Sequence, residues 1–175
     1  MSASGDSSGA ASARNRLASV RLDDQSIGRG APEQEHERNA AIWDIVESNS
    51  FAVPDVDAGP YALELAMVEK RLAFTVRQTP EDGEPAGSGA LVAAHYLSLT
   101  PFRRVIKDYE LVCNSYFAAV RSASPQQIEA IDMGRRGLHD EAATLVQERL
   151  AGKLTVDFDT ARRLFTLIFA LHWKG

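Results

Sequence analysis

Three pairs of adjacent arginines are the residues of this chain best suited to holding an anion. They are Arg103–Arg104, Arg135–Arg136 and Arg162–Arg163. The sequence predicts a helix start at each pair, and the second lies in a predicted break between two helices, bracketed by Gly134 and Gly137. The N-terminus of a helix carries partial positive charge and attracts anions. Paired guanidinium groups at helix starts therefore require either carboxylates of the same chain or an external anion.

Carboxylates close to these arginines offer internal partners. Asp140 and Glu141 follow the second pair directly, and four further aspartates are candidates for the other arginines: Asp108, Asp132, Asp157 and Asp159. Structural ion pairs of this kind shift the pKa values of their members without implying a function. We favour ion pairs within the chain as the role of these arginines. The alternative is a functional anion site, in which two guanidinium groups bind a phosphate or a carboxylate.

Two histidines are the alternative candidates for chemistry. His139 follows the glycine-bracketed pair, and His36 lies in the acidic run Glu33–Glu37. Either could shuttle a proton, because histidine titrates near neutral pH. Neighbouring helix residues point in different directions, however, so His139 and Asp140 form no dyad, and we predict a surface histidine at a helix start. The acidic run with its one histidine is too sparse for a metal site.

Known catalytic and cofactor motifs are absent from the sequence. It contains no phosphate-binding Walker loop, nucleophile elbow, dinucleotide fingerprint or zinc-ligand spacing. We therefore assign no catalytic residue, cofactor or metal. The prediction leans away from an enzyme.

Composition narrows the protein class. The net charge of −5 argues against a nucleic-acid or anionic-membrane surface. A single cysteine, Cys113, excludes an intramolecular disulfide and suits a reducing compartment. Residues 1–14 are rich in Ser, Ala and Gly, a composition that predicts a disordered tail. They lack the apolar segment of a secretory signal peptide. We expect a cytoplasmic protein with a single domain at residues 15–175.

Alternating apolar residues predict a small antiparallel sheet of about four strands. The segments are 15–23, a hairpin of 61–67 with 72–76 that turns at Glu69–Lys70, and 91–99. A loop is predicted at 24–30 and a long turn at 79–90.

Helical patterns fill the rest of the chain. Pro32 begins one helix, and Pro101 begins another whose broad apolar stripe, including Tyr109, Tyr116 and Phe117, predicts deep burial. Ser124 to Gln127 reads as a capping box. The last helix, Thr160 to Trp173, is apolar all round from Leu164 to Leu171, which predicts a central position. Strands followed by helices indicate an α+β fold, with the sheet covered by a helix-rich C-terminal half.

Long segments of the chain resemble a bacterial family, uncharacterised protein family UPF0262. The resemblance is carried by Ser26–Gly30 with Glu35–Arg38, Gly59–Leu63, Leu97–Arg104, Lys107–Tyr109, Glu129–His139, Val156–Leu167 and Leu171–Gly175. It covers nearly everything after residue 15; the N-terminal tail and the Thr79–Ala90 loop depart from it. It implies a single cytoplasmic bacterial domain and no activity.

The leading hypothesis is a non-enzymatic binding or regulatory protein. Its arginine-lined site would gather Arg103, Arg104, Arg135, Arg136, Arg162 and Arg163 around a small anion or an acidic protein segment. The alternatives are an enzyme for a phosphorylated or carboxylated metabolite, with His139 or His36 as proton shuttle, and a scaffold that dimerises through a sheet edge or a helix face.

Overall fold

A four-stranded sheet with helices on one face forms the framework of the computed structural model, which describes residues 13–172. The strands are β1 (Leu17–Leu22), β3 (Tyr61–Val68), β4 (Arg71–Gln78) and β5 (Leu91–Ser98), in the order β1-β3-β4-β5. The α+β class is confirmed. One detail differs, because β1 pairs with β3 in parallel and the sheet is mixed. A parallel pair needs a crossover, and the helical segment between β1 and β3 provides it.

The predicted hairpin is present as β3 and β4, paired residue by residue from Tyr61 with Gln78 to Val68 with Arg71. Its turn at Glu69–Lys70 places Glu69 at a φ of 58°. Leu65, Leu72 and Phe74 point to the helices and are fully buried. The intervening residues face away from the helices, as the alternation predicts.

Five helices and one short strand pair complete the part of the chain that the structure describes. The helices are α1 (Asp24–Ile27), α2 (Pro32–Glu47), α3 (Arg103–Ser122), α4 (Pro125–Leu150) and α5 (Phe158–His172), with a 3₁₀ turn at Thr100–Phe102. The short pair joins β2 (Phe51–Ala52) to β6 (Thr155–Val156). Residues 24–27 were expected in a loop but form α1, because the Asp23 side chain caps the Ser26 N–H at 3.1 Å.

Helix α5 occupies the centre of the helical layer, as its sequence predicts. Leu164, Phe165 and Leu167 are buried, and the helix packs against both α2 and α4. The Asp157 carboxylate accepts a hydrogen bond from the Thr160 N–H at 2.9 Å and caps its start. Trp173 and most of the predicted 1–14 tail lie outside the described residues. In the described part, no helix is long and apolar enough to cross a membrane.

The predicted helix break between Gly134 and Gly137 is wrong. Helix α4 runs without interruption from Pro125 to Leu150, and neither glycine has a positive φ. Each glycine weakens a helix by only about 1 kcal/mol. The capping box at Ser124 and Gln127 is formed, and packing against α3 and α5 outweighs that cost. Arg135 and Arg136 therefore lie in the middle of a helix.

Candidate functional site

A cavity of about 490 Å³ opens among α2, α3, α4 and α5. Aromatic rings form much of its wall, from Tyr109, Tyr116 and Phe117 on α3 and Phe169 on α5. Tyr109 is buried and meets Phe169 edge to face, with ring centroids 4.9 Å apart. Phe117 is 66% exposed and stands at the open side. The cavity is thus closed and aromatic on one side and open to solvent on the other.

Arg135 is the one cation among the described residues that line this cavity. Its Nε and Nη2 donate to one oxygen of Asp132 at 3.1 and 2.5 Å, and its guanidinium carbon lies 5.2 Å from the Tyr116 ring centroid. These hydrogen bonds raise the pKa of Arg135 and lower the pKa of Asp132. The guanidinium group is therefore charged and held in position by a residue one helical turn away.

Arg135, Arg136 and Asp132 together carry a net charge of +1 on α4. Asp132 also binds Arg136, whose Nη2 lies 2.9 Å from the second carboxylate oxygen. One carboxylate therefore serves two guanidinium groups. Two exposed carboxylates, Glu37 and Glu110, also line the cavity. Glu37 and Glu110 are exposed and screened by solvent, whereas Arg135 is partly buried beside Tyr116, so the guanidinium group can hold one negative charge and the two carboxylates repel a second.

Two weakly acidic groups in the cavity stay protonated at neutral pH. Burial raises the pKa of the Tyr109 hydroxyl and the pKa of the Cys113 thiol. Both groups line the cavity. Tyr109 can consequently donate a hydrogen bond, and Cys113 contributes a neutral apolar surface rather than a nucleophilic thiolate.

His139 lies behind the cavity wall, between α3 and α5. Its ring centroid is 5.5 Å from that of Tyr109 and 5.7 Å from that of Phe165. Nε2 lies 3.0 Å from the Arg162 carbonyl and 3.1 Å from the Thr166 hydroxyl. A carbonyl only accepts, so Nε2 carries the proton, and Nδ1 accepts from Arg162 Nη2 at 3.3 Å. Both ring nitrogens are occupied by this chain.

The prediction of a surface histidine at a helix start is therefore wrong for His139. The residue is partly buried in mid-helix because α4 does not break and α5 packs over it. Burial lowers its pKa, and the Arg162 charge lowers it further, which keeps the ring neutral. His36, the other candidate, is exposed on α2.

The six candidate arginines lie in different surroundings. Arg103 and Arg104 begin α3, where Arg104 is 94% exposed and 3.8 Å from Asp108. Arg162 lies 3.5 Å from Asp140, and Arg163 donates to the Ser48 carbonyl at 3.1 Å. Arg135 alone of the six lines the aromatic cavity.

A second cavity of about 450 Å³ includes Arg104. Three carboxylates share its wall: Asp108, Glu141 and Glu148. Arg104 is 94% exposed among these three carboxylates, and among the described residues no aromatic side chain lines the wall, which makes this cavity a poorer anion site than the one beside Arg135.

Sequence reasoning identified Arg135 but missed the aromatic residues beside it. Tyr109, Tyr116 and Phe117 were interpreted as one deeply buried stripe of α3. Tyr109 is buried, yet Phe117 is exposed. The apolar stripe of α3 is wider than the band that one neighbouring helix can cover. That excess width was the sequence signal for apolar side chains left facing a cavity.

Comparison with known proteins finds close relatives. The model of a family described as uncharacterised protein family (UPF0262) matches residues 14–174. A UPF0262 protein of Methylobacterium radiotolerans is 62% identical over 161 residues, which cover 92% of this chain and 95% of the relative. The relative from Xanthobacter autotrophicus is 58% identical over 161 residues, covering 91% and 93%. No solved structure matches the chain.

Proposed function

The chain belongs to the bacterial uncharacterised protein family UPF0262, and we propose that it is a non-enzymatic binding protein for a small anion held beside Arg135. The observation that carries the proposal is a positioned guanidinium group in the wall of an aromatic cavity. Small-molecule sites are typically 300–1,000 Å³, mostly apolar, and contain a few placed polar groups. The cavity has this size and this composition.

The ligand we propose is a monocarboxylate with an aromatic or aliphatic body. Its carboxylate would accept hydrogen bonds from Arg135, and its apolar part would pack on Tyr109, Tyr116 and Phe169. Glu37 and Glu110 disfavour nucleotides and polyphosphates, because a second negative charge would be repelled. We place this binding in the bacterial cytoplasm, where the free Cys113 thiol is stable.

The hydrogen bonds of His139 and the protonation of Tyr109 and Cys113 favour binding over catalysis. Both nitrogens of His139 are engaged within the chain, and Tyr109 and Cys113 keep their protons. A proton shuttle needs a group that reaches the ligand and titrates near the working pH. The described residues that line the cavity include no histidine.

A thermal-shift series with benzoate, phenylacetate and hexanoate tests the proposal. A ligand at 100 times its dissociation constant stabilises the folded state by about 2.7 kcal/mol, which raises Tm by about 5–11 °C for a chain of this size. We expect at least one of these carboxylates to raise Tm and the uncharged benzamide and inorganic phosphate to have little effect.

A matched pair of variants checks the role of Arg135. Arg135→Gln and Arg136→Gln each remove one ion pair with Asp132, but only Arg135 lines the cavity. We expect Arg135→Gln to abolish the carboxylate-dependent shift and Arg136→Gln to retain it. Equal shifts in both variants, or no shift with any carboxylate in the unmodified protein, would overturn the proposal.

A further inference from the structure

Two stripes of side chains on α3 line the cavity that contains Arg135. Each stripe has the spacing i, i+4, i+7, which places its three residues on one face of a helix. The inner stripe consists of Tyr109, Cys113 and Tyr116. The outer stripe consists of Glu110, Asn114 and Phe117, and all three are exposed. The cavity is therefore lined by two faces of α3 that differ in chemistry and in contact with solvent.

The inner stripe and Arg135 form the side of the cavity that suits an anion. The Arg135 guanidinium carbon lies 5.2 Å from the centroid of the Tyr116 ring. The Tyr109 hydroxyl lies close to the same guanidinium group. Both the hydroxyl and the guanidinium group donate hydrogen bonds, so a carboxylate placed here meets two donors.

The outer stripe has the chemistry that suits a cation. Glu110 supplies a carboxylate, Asn114 supplies an amide oxygen, and Phe117 presents a ring that is 66% exposed. Glu37 adds a second exposed carboxylate from α2. Carboxylate and amide oxygens accept hydrogen bonds from a protonated amine, and an aromatic face attracts a cation. A simple monocarboxylate bound beside Arg135 leaves these groups unused.

From this division of the cavity we infer that the ligand is an amino carboxylate. Its carboxylate lies beside Arg135, its apolar body packs on the inner stripe, and its protonated amine lies between Glu110 and Glu37 with the Phe117 ring beside it. The inference rests on the function proposed above, because it names a second group on the same ligand.

The positions of the two charged sides determine the distance between the charges of the ligand. Glu110 and Tyr116 are six residues apart on α3, which is about 9 Å along the axis at 1.5 Å per residue. Tyr116 lies beside Arg135, so the cationic and anionic sides are offset along the helix. This offset favours an ω-amino acid, whose charges are separated by a hydrocarbon chain, over an α-amino acid, whose charges are adjacent.

Titration calorimetry with three six-carbon probes tests the inference on the full chain. Hexanoate carries only the carboxylate, hexylamine only the amine, and 6-aminohexanoate both, and all of these groups are charged at neutral pH. We expect 6-aminohexanoate to have a dissociation constant about fivefold lower than hexanoate, a modest gain because exposed ion pairs and cation–π contacts are weak. Hexylamine should bind more weakly than either.

The same titrations separate this inference from the function proposed for Arg135. If hexanoate binds and 6-aminohexanoate binds no more tightly, the amine site is wrong and the monocarboxylate proposal stands. If neither binds, both are wrong. Hexylamine binding as tightly as 6-aminohexanoate would also overturn the inference, because the carboxylate would then contribute nothing.

A second pair of probes tests the separation of the charges. L-phenylalanine differs from 3-phenylpropanoate by an α-amino group next to the carboxylate. We expect the two to bind with similar affinity, because that amine lies beside Arg135 rather than beside Glu110. A lower dissociation constant for phenylalanine, with no gain for 6-aminohexanoate, would contradict the offset between the two sides.

Two double variants with the same change in net charge test the carboxylates themselves. Glu37→Gln with Glu110→Gln removes both carboxylates from the cavity wall and should abolish the preference for 6-aminohexanoate while hexanoate still binds. Glu47→Gln with Glu129→Gln is the matched control, since both residues are exposed on α2 and α4 and neither lines the cavity. The control should keep the fivefold preference. A preference retained by the first variant, or lost equally by both, would overturn the inference.

Discussion

Both halves of helix α4 carry apolar residues at helical spacing, but only the second half buries them completely. In the second half, Ala142, Ala143, Val146 and Leu150 are completely buried. Between Pro125 and Leu138 the helix has no fully buried residue. The first half instead contributes Arg135 to the wall of the aromatic cavity.

The difference arises from the lengths of the neighbouring helices. Helix α4 has 26 residues and α5 has 15. Contacts of Arg162 with His139 and Asp140 place α5 alongside the second half of α4, whereas α3 runs beside both halves, from Tyr116 near Arg135 to Arg104 near Glu148. An apolar stripe therefore indicates which side of a helix faces inward, but the length of the neighbouring helix determines whether that side is packed or borders a cavity.

The largest expected contrast is between Leu150 and Met133. Leu150→Ala removes a fully buried side chain and should lower the free energy of unfolding by about 2–5 kcal/mol. Met133→Ala, at a side chain that is 66% exposed, should change it by less than about 0.5 kcal/mol. Urea denaturation measures both. Similar losses for the two variants would mean that the halves of α4 do not differ in packing.

A pH series sharpens the contrast at His139, where the two halves meet. Its folded-state pKa lies below the ordinary value of 6.5. As pH falls below about 6.5, the unfolded chain binds a proton that the folded chain excludes, so stability decreases until the folded pKa is reached. The physical cause is burial, and the Arg162 guanidinium beside Nδ1 adds to it.

His139→Gln provides the comparison for that series. The unmodified protein should lose stability between pH 6.5 and 5 more steeply than the variant, by at most one proton, or about 1.4 kcal/mol per pH unit. Denaturation midpoints across the series measure the difference. Parallel curves for the two proteins would contradict the assignment of a neutral, buried imidazole.

The smallest expected effect concerns the two glycines near the boundary between the halves. Gly134→Ala and Gly137→Ala should each raise the free energy of unfolding by about 0.5–1 kcal/mol, because alanine lowers the entropy of the unfolded chain. A Cβ at Gly137 meets no atom within 4 Å, and one at Gly134 lies 3.9 Å from Val112. Destabilisation would instead support a break in the helix.

The candidate site was only partly predictable from the sequence. Arg135 was identified by its residue type and its arginine neighbour. Asp132 was named as a possible partner of the other two arginine pairs, whereas it binds Arg135 and Arg136. The aromatic wall was not identified as a cavity, because the helical period of Tyr109, Tyr116 and Phe117 is the same whether they face a packed helix or an open space. The position of His139 was misjudged because its environment depends on α5, which is distant in sequence.

The sequence by itself determined the elements and their inward faces. The alternation in β3, β4 and β5, the capping box at Ser124 and the apolar segment Leu164–Leu171 of α5 are local patterns, and each reflects short-range backbone and hydrophobic physics. Only the tertiary structure decided that Gly134 and Gly137 continue a helix and that Arg135 faces a cavity while Arg163 faces Ser48. These outcomes depend on which distant helix packs where and how far it extends. That information is absent from any local pattern, because packing energy comes from contacts between separate segments.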